Sequence, residues 1–165
     1  MADDCDLWKR WLDEHGAALV LLARQSVASH ADAEDVVQEA FVRFWKSRER
    51  VAEPVAYLYA CVKRCGLDWQ RAGKRRSRRE EARARPESEP MFAGPLEQNE
   101  RRTSVETALA NLPEKQREVL VMRIWGGLTF SQIAEALEIS PDTAASRYRY
   151  ALDKLQESLA EESLR

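Results

Sequence analysis

Strand signals are nearly absent from this sequence. Apolar and polar residues do not alternate with a period of two, whereas apolar residues recur at helical spacing from end to end. A sheet-based fold is therefore excluded. No apolar run approaches the length of a membrane span. The opening MADDCDLWKRWLDEHG is too acidic and charged for a secretory signal. The expectation is a cytoplasmic protein without membrane insertion. Cysteine is scarce and odd in number: Cys5, Cys61 and Cys65 make no disulfide framework. Cys61 and Cys65 stand four apart and share a helix face, and they read as two small buried side chains rather than a redox or metal pair. His15 and His30 are isolated from each other and read as ordinary helix or loop residues, so no metal site is expected. A glycine-rich phosphate loop, a metal cluster and a nucleophile triad are all missing, which makes an enzyme the least favoured class.

What is present is charge and helical period. A third of the 165 residues are charged, which is high but still globular, and the net charge is −2. The chain as a whole is thus no basic coat for nucleic acid, but local fields decide binding. Between positions 71 and 85 there are eight Arg or Lys against two Glu.

LWKRWLDEHGAALVLLARQSV carries Leu7, Trp8, Trp11, Leu12, Leu19, Leu22 and Val27 at helical positions, as one helix or as two interrupted at Gly16. SHADAEDVVQEAFVRFWKSRE is the next helix, with Asp32 as its expected N-cap. Its acidic first turn and basic end match the helix dipole. Val36, Ala40, Phe41 and Phe44 form its apolar stripe. A third helix opens at Pro54, near a cap at Glu53, and runs through Tyr57, Leu58, Cys61, Val62, Cys65 and Trp69 into the basic run. RARPESEPMFAGPLEQNERR, with three prolines, then reads as an extended, mobile linker over 83–103. A new helical block opens near Thr103. The expected fold is all-α: two small helical domains, residues 1–82 and 104–165, joined by a flexible linker, the C-terminal one with a helix-turn-helix.

That motif is read from its punctuation. In TFSQIAEALEIS, Thr129 and Gln132 make a capping box, and Leu128 and Ile133 stand at staple positions. After a short turn, Ser140 caps a second helix with Pro141 at its first position. Small Ala134 permits close helix approach. Ala144, Tyr148, Ala151, Leu152, Leu155 and Leu159 share one face of the second helix. Opposite lie Asp142, Thr143, Ser146, Arg149, Tyr150 and Asp153, with Arg147 and Lys154 on the flank. Short side chains and arginines on an outward face suit a major groove, and a merely solvated amphipathic helix is the plainer reading. Glu138 occupies the turn position that favours glycine, at a cost of about 1 kcal/mol.

ALANLPEKQREVLVMRIWGGLTFSQIAEALEISPDTAASRYRYALDKL resembles region four of bacterial sigma factors, in particular the extracytoplasmic-function group of the sigma-70 family. The Leu-Pro-x-x-x-Arg-x-Val stretch over 112–119, the Gly127, Leu128, Thr129 run, Ile133 with Ala134, and Thr143 with Ser146 and Arg147 carry the likeness. DAEDVVQEAFVRFWK is similar to the second helix of region two, and PVAYLYACVKRCGLDWQRAGKRR to the promoter-melting segment after it. Two motifs in the right order are far more specific than a helix-turn-helix alone.

The resemblance implies roles. Asp35, Gln38, Glu39, Phe41, Arg43 and Trp45 would bind the clamp helices of the RNA polymerase largest subunit. On the residues alone, Phe41 is expected in the core and Glu39 can pair with Arg43. The loop 47–54, with Arg48 and Arg50, would capture an unstacked base of the minus-ten element. Tyr57, Tyr59, Lys63, Arg64, Arg71, Lys74, Arg75 and Arg76 would grip the opened strand by aromatic faces and cations. A solvated basic face is the competing reading for Lys74, Arg75 and Arg76; Tyr57 and Tyr59 are also good core residues, and Trp69 is expected in the core. Thr129, Ser140, Asp142, Thr143, Ser146, Arg147, Arg149 and Tyr150 would read the minus-thirty-five element, and positions 120–125 would dock on the flap of the second-largest subunit. The family needs no cofactor and has no catalytic residues, and an anti-sigma protein is the regulator it implies. Two departures bear on the target sequence: Arg64 stands where the family commonly has Asn, and Ala144 with Ala145 where Val-Lys is common. A helix-turn-helix regulator acting without polymerase, and a degenerate homologue that titrates an anti-sigma protein, are the competing functions.

Overall fold

The computed structural model describes residues 2–79 and 100–164, with side chains from 3 to 73 and from 104 to 164. Every regular element among them is helical, and the chain divides into two units, Met1–Glu89 and Pro90–Arg165. Lys74, Arg75 and Arg76 continue a helix, but their side chains lie outside the described residues, as does most of the expected linker. No helix of the described residues is long and apolar enough to cross a membrane.

The first unit holds α1 (Ala2–Ala23), α2 (His30–Ser47), a 3₁₀ turn at Arg48–Arg50, and α3 (Pro54–Arg79). Helix α1 runs unbroken through Gly16. The turn after it is fastened by Arg24, whose Nη1 donates to the carbonyls of Val27 and Ala28. Helix α2 starts two residues before the expected cap. Ser29, not Asp32, is the N-cap, and its hydroxyl accepts from the Asp32 N–H at 3.0 Å. The stripe Val36, Ala40, Phe41 and Phe44 is wholly buried, with Leu19 and Leu22 of α1 and Leu58, Val62 and Cys65 of α3. Rings knit the three helices together: Trp8 lies 4.9 Å from Phe41 and Trp11 5.1 Å from Phe44, joining α1 to α2, and Phe44 lies 6.3 Å from Tyr57 of α3, centroid to centroid. Burying side chains of this kind stabilises by about 1.5–3 kcal/mol each. Gly66 on α3 is a contact point, because a Cβ there would stand 2.9 Å from the Ser26 Oγ. Cys61 and Cys65 are buried as expected, and burial pushes both thiols up, which keeps them protonated and unreactive.

His15 is also in this core. Its Nδ1 and the Tyr59 hydroxyl are hydrogen-bonded at 3.1 Å. Desolvation holds the imidazole pKa below its ordinary value, and Glu14, 4.0 Å from Nε2, opposes this more weakly. The folded state therefore prefers neutral His15. As pH falls through about 6.5 the unfolded chain takes up the proton first, so stability drops and levels off once the folded imidazole is protonated too. Urea titrations between about pH 5 and 8 should show this loss, and His15→Gln should remove it. A parallel pH dependence in both proteins would contradict the assignment.

The second unit holds α4 (Glu100–Ala110), α5 (Glu114–Ile124), α6 (Phe130–Leu137) and α7 (Pro141–Ser163). Helix α4 begins three residues before Thr103. Leu109, Leu112, Leu120 and Ala151 form the core, with Val105, Trp125, Tyr148, Leu152 and Leu155 packed on it. The apolar face expected for α7 is the face buried here. Gly127, at φ +66, makes the turn between α5 and α6. Leu128 and Ile133, the staple pair, are buried beside it.

Candidate polymerase and promoter interfaces

On α2 the buried stripe fixes which residues point outward. Asp35, Gln38, Val42, Arg43 and Lys46 are exposed, and Glu39 and Trp45 half-buried. Phe41, expected at a polymerase contact by resemblance and in the core on its own chemistry, is 1% exposed and belongs to the core. Glu39 and Arg43 do pair, at 2.8 Å, but they also tie α2 to α3. Trp69 Nε1 donates to the second Glu39 oxygen at 3.1 Å, and Arg43 Nη1 lies 3.8 Å from Asp68. Trp69 is thus half-buried and hydrogen-bonded rather than part of the core. Val42, absent from the expected set, is 49% exposed in the middle of this face. Its spacing of four from Gln38 and seven from Asp35 would have placed it there.

The promoter-opening set separates into three groups. Tyr59 is fully buried against His15, with burial pushing its hydroxyl pKa up, so it offers no face to DNA. Tyr57 is half-buried, its ring 6.3 Å from Phe44. Arg50, Arg64 and Arg71 are exposed and Lys63 half-buried. The exposed part of this set is therefore cationic. Arg48 is half-buried, its guanidinium 3.9 Å over the Trp45 ring.

In the second unit the punctuation read from the sequence is built as expected. Thr129 Oγ1 accepts from the Gln132 N–H at 3.1 Å while the Gln132 side chain accepts from the Thr129 N–H at 2.9 Å. Ser140 Oγ accepts from the Thr143 N–H at 3.1 Å, with Pro141 behind it. Glu138 has φ 56 and ψ 45, left-handed, and the Ile139 N–H donates to the Ala134 carbonyl at 3.0 Å. Glu138→Gly should raise the stability of this unit by up to about 1 kcal/mol, or roughly 4–8 °C in melting temperature. A lower melting temperature would mean that the Glu138 side chain has an unrecognised partner.

Helix α7 presents Asp142, Arg149 and Tyr150 exposed, and Thr143, Ser146 and Arg147 half-exposed. The Arg149 guanidinium lies 5.6 Å from the Tyr150 ring centre. Of the two alanines that depart from the family pattern, Ala144 is buried and Ala145 half-exposed. Only Ala145 can bear on a groove, and Ala144 is a packing position. Across 120–125, Leu120, Val121 and Met122 are buried and cannot dock on a partner. Ile124, 48% exposed, remains accessible at the end of α5, beside half-buried Trp125 and Arg123. Arg123 donates to the Leu128 carbonyl at 2.8 Å and covers the Phe130 ring. Among the described residues no three His, Cys, Asp or Glu gather as metal ligands.

Two family descriptions match the chain in order: Sigma-70 region 2 over residues 11–76, and Sigma-70, region 4 over residues 102–155. The ECF RNA polymerase sigma factor SigL of Mycobacterium tuberculosis is 30% identical over 97% of this chain and 93% of its own length. The RNA polymerase sigma-E factor of Streptomyces coelicolor is 31% identical over 89% of this chain and 82% of its own. Among solved structures, the sigma factor RpoE in complex with the anti-sigma factor NepR, from Bartonella quintana, has a similar fold. Its TM-score is 0.66 at 23% identity, over 94% of this chain and 97% of that one. CnrH in complex with the cytosolic domain of CnrY follows at 0.61 and 23%, over 93% and 88%.

Proposed function

This chain belongs to the extracytoplasmic-function group of the sigma-70 family, and we propose that it works as an alternative sigma factor. It binds core RNA polymerase, selects a two-part promoter and helps to open it. The observation that carries this reading is the ordered pair of matches, region 2 over 11–76 and region 4 over 102–155, on two separately built helical units. A helix-turn-helix regulator acting alone would leave the first unit without a purpose.

The exposed face of α2, with Asp35, Gln38, Val42 and the Glu39–Arg43 pair, is the surface offered to the polymerase clamp helices. The loop 47–54 and the cations of α3 are offered to the opened minus-ten strand, and the outer face of α7 to the minus-thirty-five duplex. Ile124 and Trp125 are the accessible part of the surface offered to the flap. Melted DNA is held by charge and stacking, whereas duplex is read at base edges, so two differently built units suit one promoter. The factor itself supplies binding energy and no catalytic group. An anti-sigma protein that covers one or both units is the regulator, by analogy with the fold neighbour RpoE in its complex with the anti-sigma factor NepR.

Binding to core polymerase tests the first step. A labelled chain should co-migrate with core enzyme, and Val42→Asp should weaken that binding by about tenfold, the effect of placing an unpaired charge in an apolar contact. Its melting temperature should not change, since Val42 lies outside the core. Failure of the parent chain to bind core overturns the reading. Binding without initiation favours the homologue that titrates an anti-sigma protein.

A further inference from the structure

We propose that Arg48 is a positioning residue, held by the first turns of α1, which sets the shape of the loop 47–54. The proposal rests on the assignment of that loop to the minus-ten strand. Arg48 is the residue at which α2 ends and the 3₁₀ turn begins. Its guanidinium is already committed within the unit. Nη1 donates to the Trp45 carbonyl, in the last turn of α2, at 2.6 Å. The guanidinium plane lies 3.9 Å over the Trp45 ring. Nη2 lies 3.2 Å from Asp4 Oδ1 and 3.8 Å from Glu49 Oε1. The side chain is only 21% exposed.

Asp4 and Trp8 stand at i and i+4 on one face of α1, and both engage this arrangement. Asp4 holds the cation. Trp8 packs edge-on against Trp45 at 5.0 Å and is itself seated on Phe41. The start of α1 thereby clasps both the cation, 44 residues from Asp4 in sequence, and its stacking partner. To reach a phosphate, Arg48 would have to give up a carbonyl hydrogen bond, a stacking contact and an ion pair together. Arg50, two residues on, is exposed and can meet DNA directly. Arg48 therefore acts through the loop, and α1 becomes part of the promoter-opening apparatus. A planar fork is required, because a lysine cannot stack on the ring and serve two acceptors at once.

The test uses the full chain bound to core polymerase and promoters with a randomised minus-ten element behind a fixed upstream element. The readout is the ratio of open complexes on the preferred element to those on single-base variants, measured at several salt concentrations. Arg48→Lys and Arg48→Ala should both reduce that ratio, by about tenfold. Asp4→Asn should reduce it by about two- to threefold, the scale of an exposed pair. Affinity for core and the salt slope should stay at the parent values, and melting curves of the Asp4→Asn protein should be unchanged. A merely structural role would lower stability without altering base preference, and would overturn the proposal. So would an Arg48→Lys protein with parental discrimination beside an Arg48→Ala protein with a shallower salt slope, which is the signature of a direct phosphate contact. If the parent holoenzyme shows no minus-ten preference, the functional reading falls and this proposal with it. A parent that discriminates, with three variants that match it, overturns the proposal alone.

Discussion

Phe41→Ala should destabilise the first unit by about 3–5 kcal/mol, the range for removing a buried aromatic ring from a packed core. Phe41 is 1% exposed, lies under Trp8, and meets Phe44 edge-on at 6.1 Å. Domains of this size have a total stability of about 5–15 kcal/mol, so the change is a large part of what holds the unit together. Four of the five tryptophans, Trp8, Trp11, Trp45 and Trp69, belong to this unit. Their fluorescence should therefore show an early transition in urea. Duplex binding by the second unit should survive at denaturant concentrations where that transition is complete. Any loss of polymerase binding in this variant is then a consequence of unfolding, in contrast to Val42→Asp. A Phe41→Ala protein that unfolds like the parent but no longer binds core would return Phe41 to the interface.

Replacing Arg147 and Arg149 together with alanine should nearly abolish recognition of the minus-thirty-five duplex. A good arginine contact to a base edge contributes about 1–3 kcal/mol, so each single variant should lose roughly ten- to a hundredfold in affinity. The double variant should lose roughly the product. Where either residue meets a phosphate, the slope of log affinity against log salt should fall by about 0.9 for each contact removed. Arg149 lies on the outer face of α7 and Arg147 on its flank, and neither is part of its core, so melting temperature should scarcely change. Fluorescence anisotropy on the selected duplex, at three or more salt concentrations, measures affinity and slope together. Unchanged affinity and slope would make the outer face of α7 a solvated helix surface and nothing more.

The second unit was the more legible of the two. Its capping box, its Ser140–Pro141 start and even the strained Glu138 are properties of a few consecutive residues, and local chemistry decides them. The alternation of core and surface along α7 could be read from period alone because one face packs and the other does not. The first unit was legible in its helices and less so in its site. Period placed Phe41 in the α2 stripe while the resemblance placed it at a polymerase contact, and the packing of Trp8 over it decides for the core. Tyr59 could have faced DNA or the core, and His15, 44 residues earlier, supplies the hydrogen bond that decides for the core. Several residues of SVASHADAED are competent N-caps. Ser29 is the one used, its hydroxyl accepting from the Asp32 N–H, and residue type alone does not choose among them. The Asp4–Arg48 pair and the Trp69–Glu39 hydrogen bond are likewise long-range, and sequence spacing carries no signal for either.

The claim that joins these observations is that one chain both binds core polymerase and chooses where it starts. Reconstituting the parent chain with core enzyme and transcribing a library of randomised promoters tests it most directly. The account predicts transcripts that begin at templates sharing an upstream and a minus-ten element, with the upstream preference lost in the Arg147→Ala, Arg149→Ala protein. Transcripts no different from those of core enzyme alone, under conditions where the chain and core are shown to be mixed and folded, would contradict it.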